Sequence, residues 1–333
     1  MLVTSKKAIS VEKAFGLPVK GKTVVGLDDM FNPTIPSSVV DYLFPQLELR
    51  SFLAFMEHPE DSGFWLWGLH GTGKTSLIQQ VCNRLNWGCY SVNGSATLEV
   101  EELLYQNVIK SDGTTGVELN ALAKAFAFGG VFLFNEIDLV DPGRLGALNE
   151  ILAGDTLIIP GYDNIIKRHE NFRFVVTANT NGSFDDESGI DVVGASSMNL
   201  AFMDRFIVVK AHYLEAKAET EYLAKYSAMV YKSLFHKTDK DAENFTKQFR
   251  PIIKNMVKVA GESRKAAMNG NQFDRPISMR GLKRWVQKTI QYTGAPNAVA
   301  YSIGEAITNA YPKNQADSVL RFCSDIFGSS FDS

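Results

Sequence analysis

The sequence predicts an α/β domain with a central parallel sheet, followed by an all-helical domain. Five short apolar runs alternate with helical patterns along residues 63–209, and such alternation is typical of parallel strands covered by helices on both faces. From about residue 213 onward, apolar residues recur every three or four positions, which indicates helices without strands. The runs predicted as strands are Phe64–Trp67, Cys89–Val92, Val131–Phe134, Phe172–Thr177 and Phe206–Val209.

The predicted organisation has three parts. Residues 1–48 are predicted to form an irregular arm, because prolines at positions 18, 33, 36 and 45 interrupt any long helix. Residues 49–212 hold the predicted α/β domain, and residues 213–333 hold the predicted helical lid. Ser278 is expected to cap one of the lid helices. These helices are predicted over Glu215–Lys232, Asn244–Gly261, Ser278–Thr293 and Ala298–Phe327.

The composition narrows the class of protein. An apolar content of 45% in 333 residues is enough for one large domain or two moderate ones. A net charge of −3 and a pI near 6.0 argue against a protein that coats nucleic acid. This charge balance is still compatible with a local basic channel. The cysteines have no metal-binding or paired spacing, and no run has the length of a signal peptide or a membrane span. We therefore expect a cytoplasmic protein without a membrane segment.

The stretch from Gly68 to Thr75, Gly-Leu-His-Gly-Thr-Gly-Lys-Thr, has the complete pattern of a phosphate-binding loop. It follows an apolar run and precedes a helical pattern, so its backbone N–H groups are expected to surround phosphates at a helix start. Lys74 is expected to contact the outer phosphates, and the Thr75 hydroxyl to bind Mg²⁺. The sequence therefore predicts that ATP binds with Mg²⁺ at Gly68, His70, Gly71, Thr72, Gly73, Lys74, Thr75 and Ser76.

A second nucleotide motif is predicted where the apolar run beginning at Val131 ends in Asn-Glu-Ile-Asp. Glu136 is the candidate to polarise the attacking water. Asn135 stands where this motif normally has aspartate; its amide can contact the metal through water but contributes no negative charge. Asp138 lies past the strand end and is expected to point elsewhere. A plain core strand with a polar tip is the alternative interpretation.

Three further polar residues are candidates for contacts to the transferred phosphate. Asn179 follows the run ending at Thr177 and is predicted to lie beside the γ-phosphate, although strands often end in asparagine. Arg205 precedes the last predicted strand and is a candidate arginine finger for a neighbouring subunit, with a local pair to Asp204 as the alternative. Arg280, in the first turn of a lid helix, is the third candidate, or else a solvated charge.

Taken in this order, the motifs resemble those of AAA+ ATPases of the MoxR-like branch, and within it the ATPase subunit of aerobic cobaltochelatase. The resemblance implies the three-layer AAA+ P-loop fold with a helical lid. It also implies that Asn179 is sensor 1, Arg205 the finger acting in trans, and Arg280 sensor 2. Besides the phosphate loop, the stretches that carry it are Val11–Gly16, Arg84–Trp87, Thr177–Gly182, Met203–Arg205, Ile277–Arg280 with Trp285, and Ile326–Gly328.

The resemblance further implies an assembly and partners. A finger that acts in trans implies a homo-oligomeric ring, usually of six subunits. Two insertions, near residues 108–113 and 156–169, are expected to line this ring. A partner with a von Willebrand A-type domain is also implied. The metal site of such a partner is predicted to accept a carboxylate from an acidic loop containing Asp185, Asp186, Glu187 and Asp191, with a plain solvated loop as the alternative.

The sequence therefore predicts a Mg²⁺-dependent ring ATPase that remodels a partner protein, in a complex of the cobaltochelatase or MoxR type. Two alternatives come from other functional classes. A nucleic-acid motor would use the basic residues Lys167, Arg168 and His169, although the acidic balance of the chain disfavours this function. An ATP-gated scaffold with weak hydrolysis is suggested by Asn135.

Overall fold

The computed structural model describes residues 6–28, 32–182, 198–268, 273, 275–328 and 331. The chain divides into two compact units. Among the described residues, the first unit contains 6–69, 74–182 and 198–212, and the second contains 70–73 and those from 213 onward. The acidic residues predicted to meet a partner, Asp185, Asp186, Glu187 and Asp191, lie outside the described residues.

The first unit is an α/β structure in which strands and helices alternate along the chain. Its strands are β1 (Lys6–Ser10), β2 (Thr23–Leu27), β3 (Gly63–Trp67), β4 (Cys89–Asn93), β5 (Tyr105–Ile109), β6 (Thr115–Leu119), β7 (Gly130–Asn135), β8 (Thr156–Leu157), β9 (Ile166–Lys167), β10 (Phe172–Ala178) and β11 (Phe206–Lys210). Its helices are α1 (Val11–Phe15), α2 (Gln46–Glu57), α3 (Lys74–Leu85), α4 (Val100–Leu104), α5 (Ala121–Phe128), α6 (Leu148–Ala153) and α7 (Leu200–Met203), with 3₁₀ helices at Ile137–Leu139 and Pro142–Ala147.

A five-stranded parallel sheet forms the centre of this unit, in the order β11-β3-β10-β7-β4. Strands β3, β7 and β10 are buried along their whole length. Alternate side chains enter two separate apolar clusters, for example Phe132 in one and Leu133 in the other. Because both faces are covered, the strands are continuously apolar, and all five predicted runs are confirmed as strands.

The described part of the predicted arm differs from the irregular structure expected for it. Strands β1 and β2 pair antiparallel around helix α1, and Val11 and Phe15 of that helix are buried. The Ser10 hydroxyl caps α1 by accepting a hydrogen bond from the N–H of Lys13, 3.4 Å away. The prolines exclude a long helix here, but they leave room for short elements between them.

The second unit is helical over its described residues, as predicted. Its helices are α8 (Ala216–Phe235), α9 (Asp239–Met268), α10 (Met279–Gln291), α11 (Ala298–Ala306) and α12 (Lys313–Phe327), with a 3₁₀ helix at Thr308–Ala310. The predicted cap is confirmed, because the Ser278 hydroxyl accepts the N–H of Gly281 at 3.2 Å. The single helix predicted over 298–327 is wrong. The chain breaks before α12 because Pro312 disfavours helical geometry at the preceding residue and begins the next helix.

Two small antiparallel hairpins extend the first unit beyond its sheet. One is formed by β5 and β6 and the other by β8 and β9. They coincide with the two segments predicted as insertions. Within the described parts of the chain, no helix combines the length and apolar character needed to span a bilayer.

Candidate nucleotide-binding site

The phosphate loop connects β3 to α3, and its glycines hold backbone conformations that other residues rarely adopt. Gly71 and Gly73 have φ angles of 79° and 89°, in the left-handed region. Gly68 has φ 151°, and a Cβ there would lie 2.5 Å from the carbonyl oxygen of Ala211. Helix α3 begins at Lys74, so the loop leads directly into a helix N-terminus, as the motif requires.

The Lys74 amine lies at the centre of the site. It donates hydrogen bonds to the carbonyl oxygens of Gly68 (2.6 Å) and Leu69 (3.2 Å), and to Oδ1 of Asn179 (3.0 Å). Burial lowers the pKa of Lys74 to about 8, while the negative charges of Asp138 and Glu136 act in the opposite direction. The structure therefore brings Asn179 to the lysine of the phosphate loop, while its predicted contact with the γ-phosphate stays a prediction.

Thr75 and Asn135 are joined by a hydrogen bond of 2.8 Å from the Thr75 hydroxyl to Oδ1 of Asn135. The same oxygen accepts a second bond from Thr177 at 3.1 Å, and Nδ2 of Asn135 donates to Ser91 Oγ at 2.8 Å. Because the threonine proton points to the amide, the lone pairs of its oxygen remain available to a metal ion. The donor set thus fits a Mg²⁺ ion bound through one hydroxyl and the substrate phosphates.

Sequence analysis missed Ser91 and Thr177, which bond Asn135 in addition to Thr75. Both are polar residues inside runs that are otherwise apolar, Cys89–Val92 and Phe172–Thr177. Their position in buried strands was the available signal, since a buried polar side chain usually has a hydrogen-bond partner. In the described part of the chain, no group of three His, Cys, Asp or Glu side chains could hold a metal ion, so the hydroxyl and the phosphates would have to supply its ligands.

Glu136 is exposed and has φ 54° and ψ 43°, a left-handed conformation that costs a non-glycine residue roughly 1–2 kcal/mol. The surrounding chain enforces it. The N–H of Gly94 donates to the carbonyl of Asn135 at 2.7 Å, and a Cβ at Gly94 would lie 2.4 Å from the Glu136 carbonyl oxygen. The strained residue reverses the chain immediately after β7 and leaves the Glu136 carboxylate accessible at the carboxyl end of the sheet.

The expectation that Asp138 points elsewhere is wrong. Its side chain is completely buried, and Oδ2 accepts the backbone N–H groups of Asn179 at 2.7 Å and Thr180 at 3.3 Å. The reversal at Glu136 explains this placement, because it turns the following 3₁₀ helix back toward the end of β10. Burial raises the pKa of Asp138, while the two N–H donors and the charge of Lys74 oppose that shift.

Arg205 lies at the amino ends of the strands, on the opposite end of the sheet from the phosphate loop. Its carbonyl accepts the N–H of Gly63 at 2.8 Å, and the next residue, Phe206, pairs with Gly63 at the amino ends of β11 and β3. The side chain donates from Nε to Oδ1 of Asn149 at 2.8 Å, rather than to the neighbouring Asp204 carboxylate. The phosphate loop and Asn179 follow the carboxyl ends of the strands, so the structure does not bring Arg205 to them.

The other predicted residues lie on accessible positions. His70 and Ser76 are exposed, and Thr72 is half-buried in the loop. Arg280 is exposed in the first turn of α10, in the second unit. Its predicted contact with phosphate remains a prediction.

The chain is similar in sequence to several known proteins. Residues 63–206 match the AAA domain family in its dynein-related subfamily. The aerobic cobaltochelatase subunit CobS of Sinorhizobium sp is 28% identical over 284 residues, which cover 84% of this chain and 79% of that protein. An uncharacterized protein of Staphylococcus aureus is 26% identical over 230 residues, or 67% of this chain and 81% of its own length. Among solved structures, NtrX from Brucella abortus is 15% identical, with a TM-score of 0.49 over 87% of this chain and 64% of that chain.

The matched range contains the phosphate loop, the strand that ends in Asn135, and Asn179. The resemblance found in the sequence is thereby confirmed, as is the predicted fold class. Nucleotide binding follows from the AAA domain together with the complete phosphate loop. Residues 63–206 match an AAA domain, and together with the similarity to CobS this match supports an ATP-hydrolysing enzyme.

Proposed function

We propose that this protein is a Mg²⁺-dependent ATPase that works as a closed ring and uses ATP hydrolysis to remodel a partner protein. The observation that supports the ring is the position of Arg205, at the amino ends of the strands, whereas its own phosphate loop follows their carboxyl ends. Strand β3 has five residues, so these two ends of the sheet are separated by about 16 Å at 3.3 Å per residue. The guanidinium therefore serves the site of another copy, and a heterologous contact of this kind closes into a ring.

Within one site, the residues divide the work of phosphoryl transfer to water. Lys74 moves from the loop carbonyls to the outer phosphates, and Asn179 stays beside it to contact the γ-phosphate. Glu136 orients and polarises the attacking water. Thr75 would hold Mg²⁺ through its hydroxyl and Asn135 through a water molecule, and the ion would neutralise charge on the phosphates.

Arg205 of the neighbouring subunit completes the site by stabilising charge on the transferred group. Its Nε is held by Asn149, which leaves the two terminal nitrogens to fork onto phosphate oxygens. Arg280 follows the nucleotide state from the helical unit and passes it to the next subunit.

The two hairpins support a role in contacting a protein partner. Ile109 on the first hairpin is 83% exposed, and Ile158 and Ile165 on the second are 73% and 64% exposed. The hairpins lie side by side, since a Cβ at Gly161 would be 3.2 Å from Val117. Exposed apolar residues on adjoining hairpins provide a surface that can bind an unfolded segment of a partner protein.

The relationship to a cobaltochelatase subunit suggests a partner with a von Willebrand A-type domain. We propose that the carboxylates of Asp185, Asp186, Glu187 and Asp191 reach the metal site of that partner. Replacing all four with their amides is expected to abolish co-purification of the partner. Unchanged co-purification would remove this part of the proposal.

The ring is tested by mixing two inactive variants. Lys74→Ala removes nucleotide binding but keeps the finger, whereas Arg205→Ala keeps nucleotide binding but removes the finger. In a ring, the mixture recovers part of the lost hydrolysis, because Lys74→Ala subunits present Arg205 to the intact sites of their neighbours. Arg144→Ala, which alters a half-buried arginine paired with Glu99, is the control and should not affect turnover. No recovery on mixing, or a monomer in the presence of ATP and Mg²⁺, would contradict the proposal.

The ATP-gated scaffold remains a second candidate, because Asn135 brings no charge to the metal. The nucleic-acid motor loses support, since two of its three basic residues are engaged within the fold. Arg168 donates to the carbonyl of Leu152 at 3.1 Å, and Nδ1 of His169 accepts the N–H of Asn171 at 3.0 Å. Of these three basic residues, Lys167 is the exposed one.

A further inference from the structure

Asp138 combines features that packing alone does not explain. It is fully buried, and its Oδ2 accepts two backbone N–H groups, yet its Oδ1 has no hydrogen-bond partner. A buried carboxylate oxygen without a partner is destabilising, so a residue selected only for stability would not leave it bare.

The two N–H groups that Asp138 accepts belong to the turn that carries Asn179. The shorter bond, 2.7 Å, goes to Asn179 itself, and the second goes to Thr180. The carbonyl of Thr180 is in turn held by the indole N–H of Trp65 at 3.3 Å. The amide side chain of Asn179 therefore meets Lys74 from a backbone that the carboxylate fixes in place.

Asp138 also balances charge in the site. The charge of Asp138 is, after burial, the largest influence on the protonation of Lys74, and Glu136 is the next. Among these groups, only Asp138 is both fully buried and bonded to the turn of Asn179. One carboxylate thus acts on the two residues that are proposed to contact the γ-phosphate.

We propose that Asp138 is a positioning residue for ATP hydrolysis, which holds Asn179 in place for turnover. The proposal rests on the roles given above to Lys74 and Asn179. Removing the charge lowers turnover because the turn that carries Asn179 loses its anchor. ADP lacks the γ-phosphate that Asn179 is proposed to contact, so its affinity should change little.

The test is Asp138→Asn, which keeps the shape and an acceptor oxygen but removes the charge. We expect kcat to fall at least tenfold, and the Kd of ADP to stay within about threefold of the wild-type value. A purely structural role would weaken turnover and binding together. Asp141→Asn is the matched control, because Asp141 also accepts a backbone N–H, that of Gly143 at 2.9 Å, from an exposed position three residues along the chain.

A double-mutant cycle separates this proposal from the roles on which it rests. In the Asn179→Ala background, Asp138→Asn should lower kcat by less than twofold, because it acts through Asn179. A wild-type kcat in Asp138→Asn, or a loss of ADP affinity in proportion to kcat, overturns the inference. Unchanged turnover in Asn179→Ala alone would instead overturn the role of Asn179.

If Asp138→Asn does not fold, hydrogen exchange of the wild-type chain tests whether Asp138 holds the turn at Asn179 and Thr180. The amides of Asn179 and Thr180 are expected to exchange at least tenfold more slowly than the amide of Gly143, which is bonded to an exposed carboxylate. Exchange at equal rates would show that Asp138 does not hold this turn and would overturn the inference.

Discussion

Asp138 in the first unit and Glu219 in the second are both buried carboxylates, but their oxygens are satisfied in different ways. Glu219 is 1% exposed and receives both terminal nitrogens of Arg264, at 2.8 Å and 2.9 Å. Asp138 faces two backbone N–H groups on one oxygen and nothing on the other. Burial raises the pKa of each carboxyl, and only Glu219 is opposed by a bonded guanidinium.

The difference separates two uses of buried charge. In the Glu219–Arg264 pair, each charge is balanced by the other. Arg264 also donates to the Ile277 carbonyl at 3.0 Å, so this arginine connects α8, α9 and the start of α10. The phosphate-loop cluster, which we define as Lys74, Thr75, Asn135, Glu136, Asp138 and Asn179, keeps charge that is only partly balanced. We therefore expect changes in the cluster to alter kinetics and binding, and changes in the ion pair to alter stability.

The largest effect is expected for Glu136→Gln. Loss of the carboxylate that polarises water should lower kcat by about 10²–10⁴-fold, the range typical of general acid–base catalysis. Nucleotide affinity should change much less than turnover, and the free energy of unfolding should change little, because Glu136 is exposed. Steady-state hydrolysis and nucleotide titration measure this. Glu101→Gln, an exposed glutamate on α4, is the control. A kcat within threefold of wild type would remove Glu136 from the mechanism.

Changes in the Glu219–Arg264 ion pair should show the opposite pattern, an effect on stability rather than on kinetics. Glu219→Ala leaves Arg264 buried without its partner and should lower the free energy of unfolding by about 3–5 kcal/mol. The double substitution Glu219→Leu with Arg264→Met should regain most of this loss, because no uncompensated charge remains. Chemical denaturation measures both.

The control for the ion pair lies two residues further along α8. Glu221 pairs with Arg250, and both side chains are exposed. Glu221→Ala should therefore cost less than about 1 kcal/mol. Equal losses at Glu219 and Glu221 would contradict the distinction between the buried pair and the exposed one.

The unbalanced charge of the cluster predicts a pH dependence of nucleotide binding. Burial lowers the pKa of Lys74 from 10.5 to about 8. Phosphates bind the charged amine, so affinity should fall as the pH rises above 8, by up to about tenfold per pH unit. Over the same window the unfolded chain binds more protons than the folded one, so this residue makes stability rise with pH. Nucleotide titration between pH 7 and 9.5 measures the effect. Lys74→Arg stays charged and should give a flat profile.

The sheet and most of the site could be predicted from sequence because each signal there is local. Continuous apolar runs predict buried parallel strands, and the phosphate loop is one contiguous motif. What sequence missed depends on chain reversal. The left-handed backbone of Glu136 redirects Asp138, and nothing in the order Asn-Glu-Ile-Asp indicates that a non-glycine residue will adopt it.

The long-range partners of Asn135 were missed for a related reason. Ser91 and Thr177 lie on the two strands that flank β7, and their meeting depends on register rather than on spacing in the chain. The helix predicted over 298–327 failed in a different way. The spacing of apolar residues continues across Pro312, so periodicity alone predicts one helix. The proline was the sequence signal for the break before α12.

The smallest effect is expected for Asn135→Asp. The amide already orients the Thr75 hydroxyl, and an aspartate would accept from Ser91 where the amide now donates, so the geometry should be kept. What the substitution adds is negative charge near the metal. Half-saturating Mg²⁺ should fall about tenfold, at the lower end of the effect of groups that contact a metal indirectly. At saturating Mg²⁺, turnover should change by less than about threefold, because the catalytic groups are unaltered.

This substitution also decides between the motor and the scaffold. Asn107→Asp, which adds the same charge at an exposed position on β5, controls for the change in net charge. If turnover at saturating Mg²⁺ rises more than about tenfold in Asn135→Asp alone, the natural chain is restrained by its amide and the scaffold interpretation gains. If only the Mg²⁺ requirement shifts, the bond between Thr75 and Asn135 is sufficient for hydrolysis. The unbalanced charge of the cluster then tunes metal and nucleotide binding without limiting the chemical step.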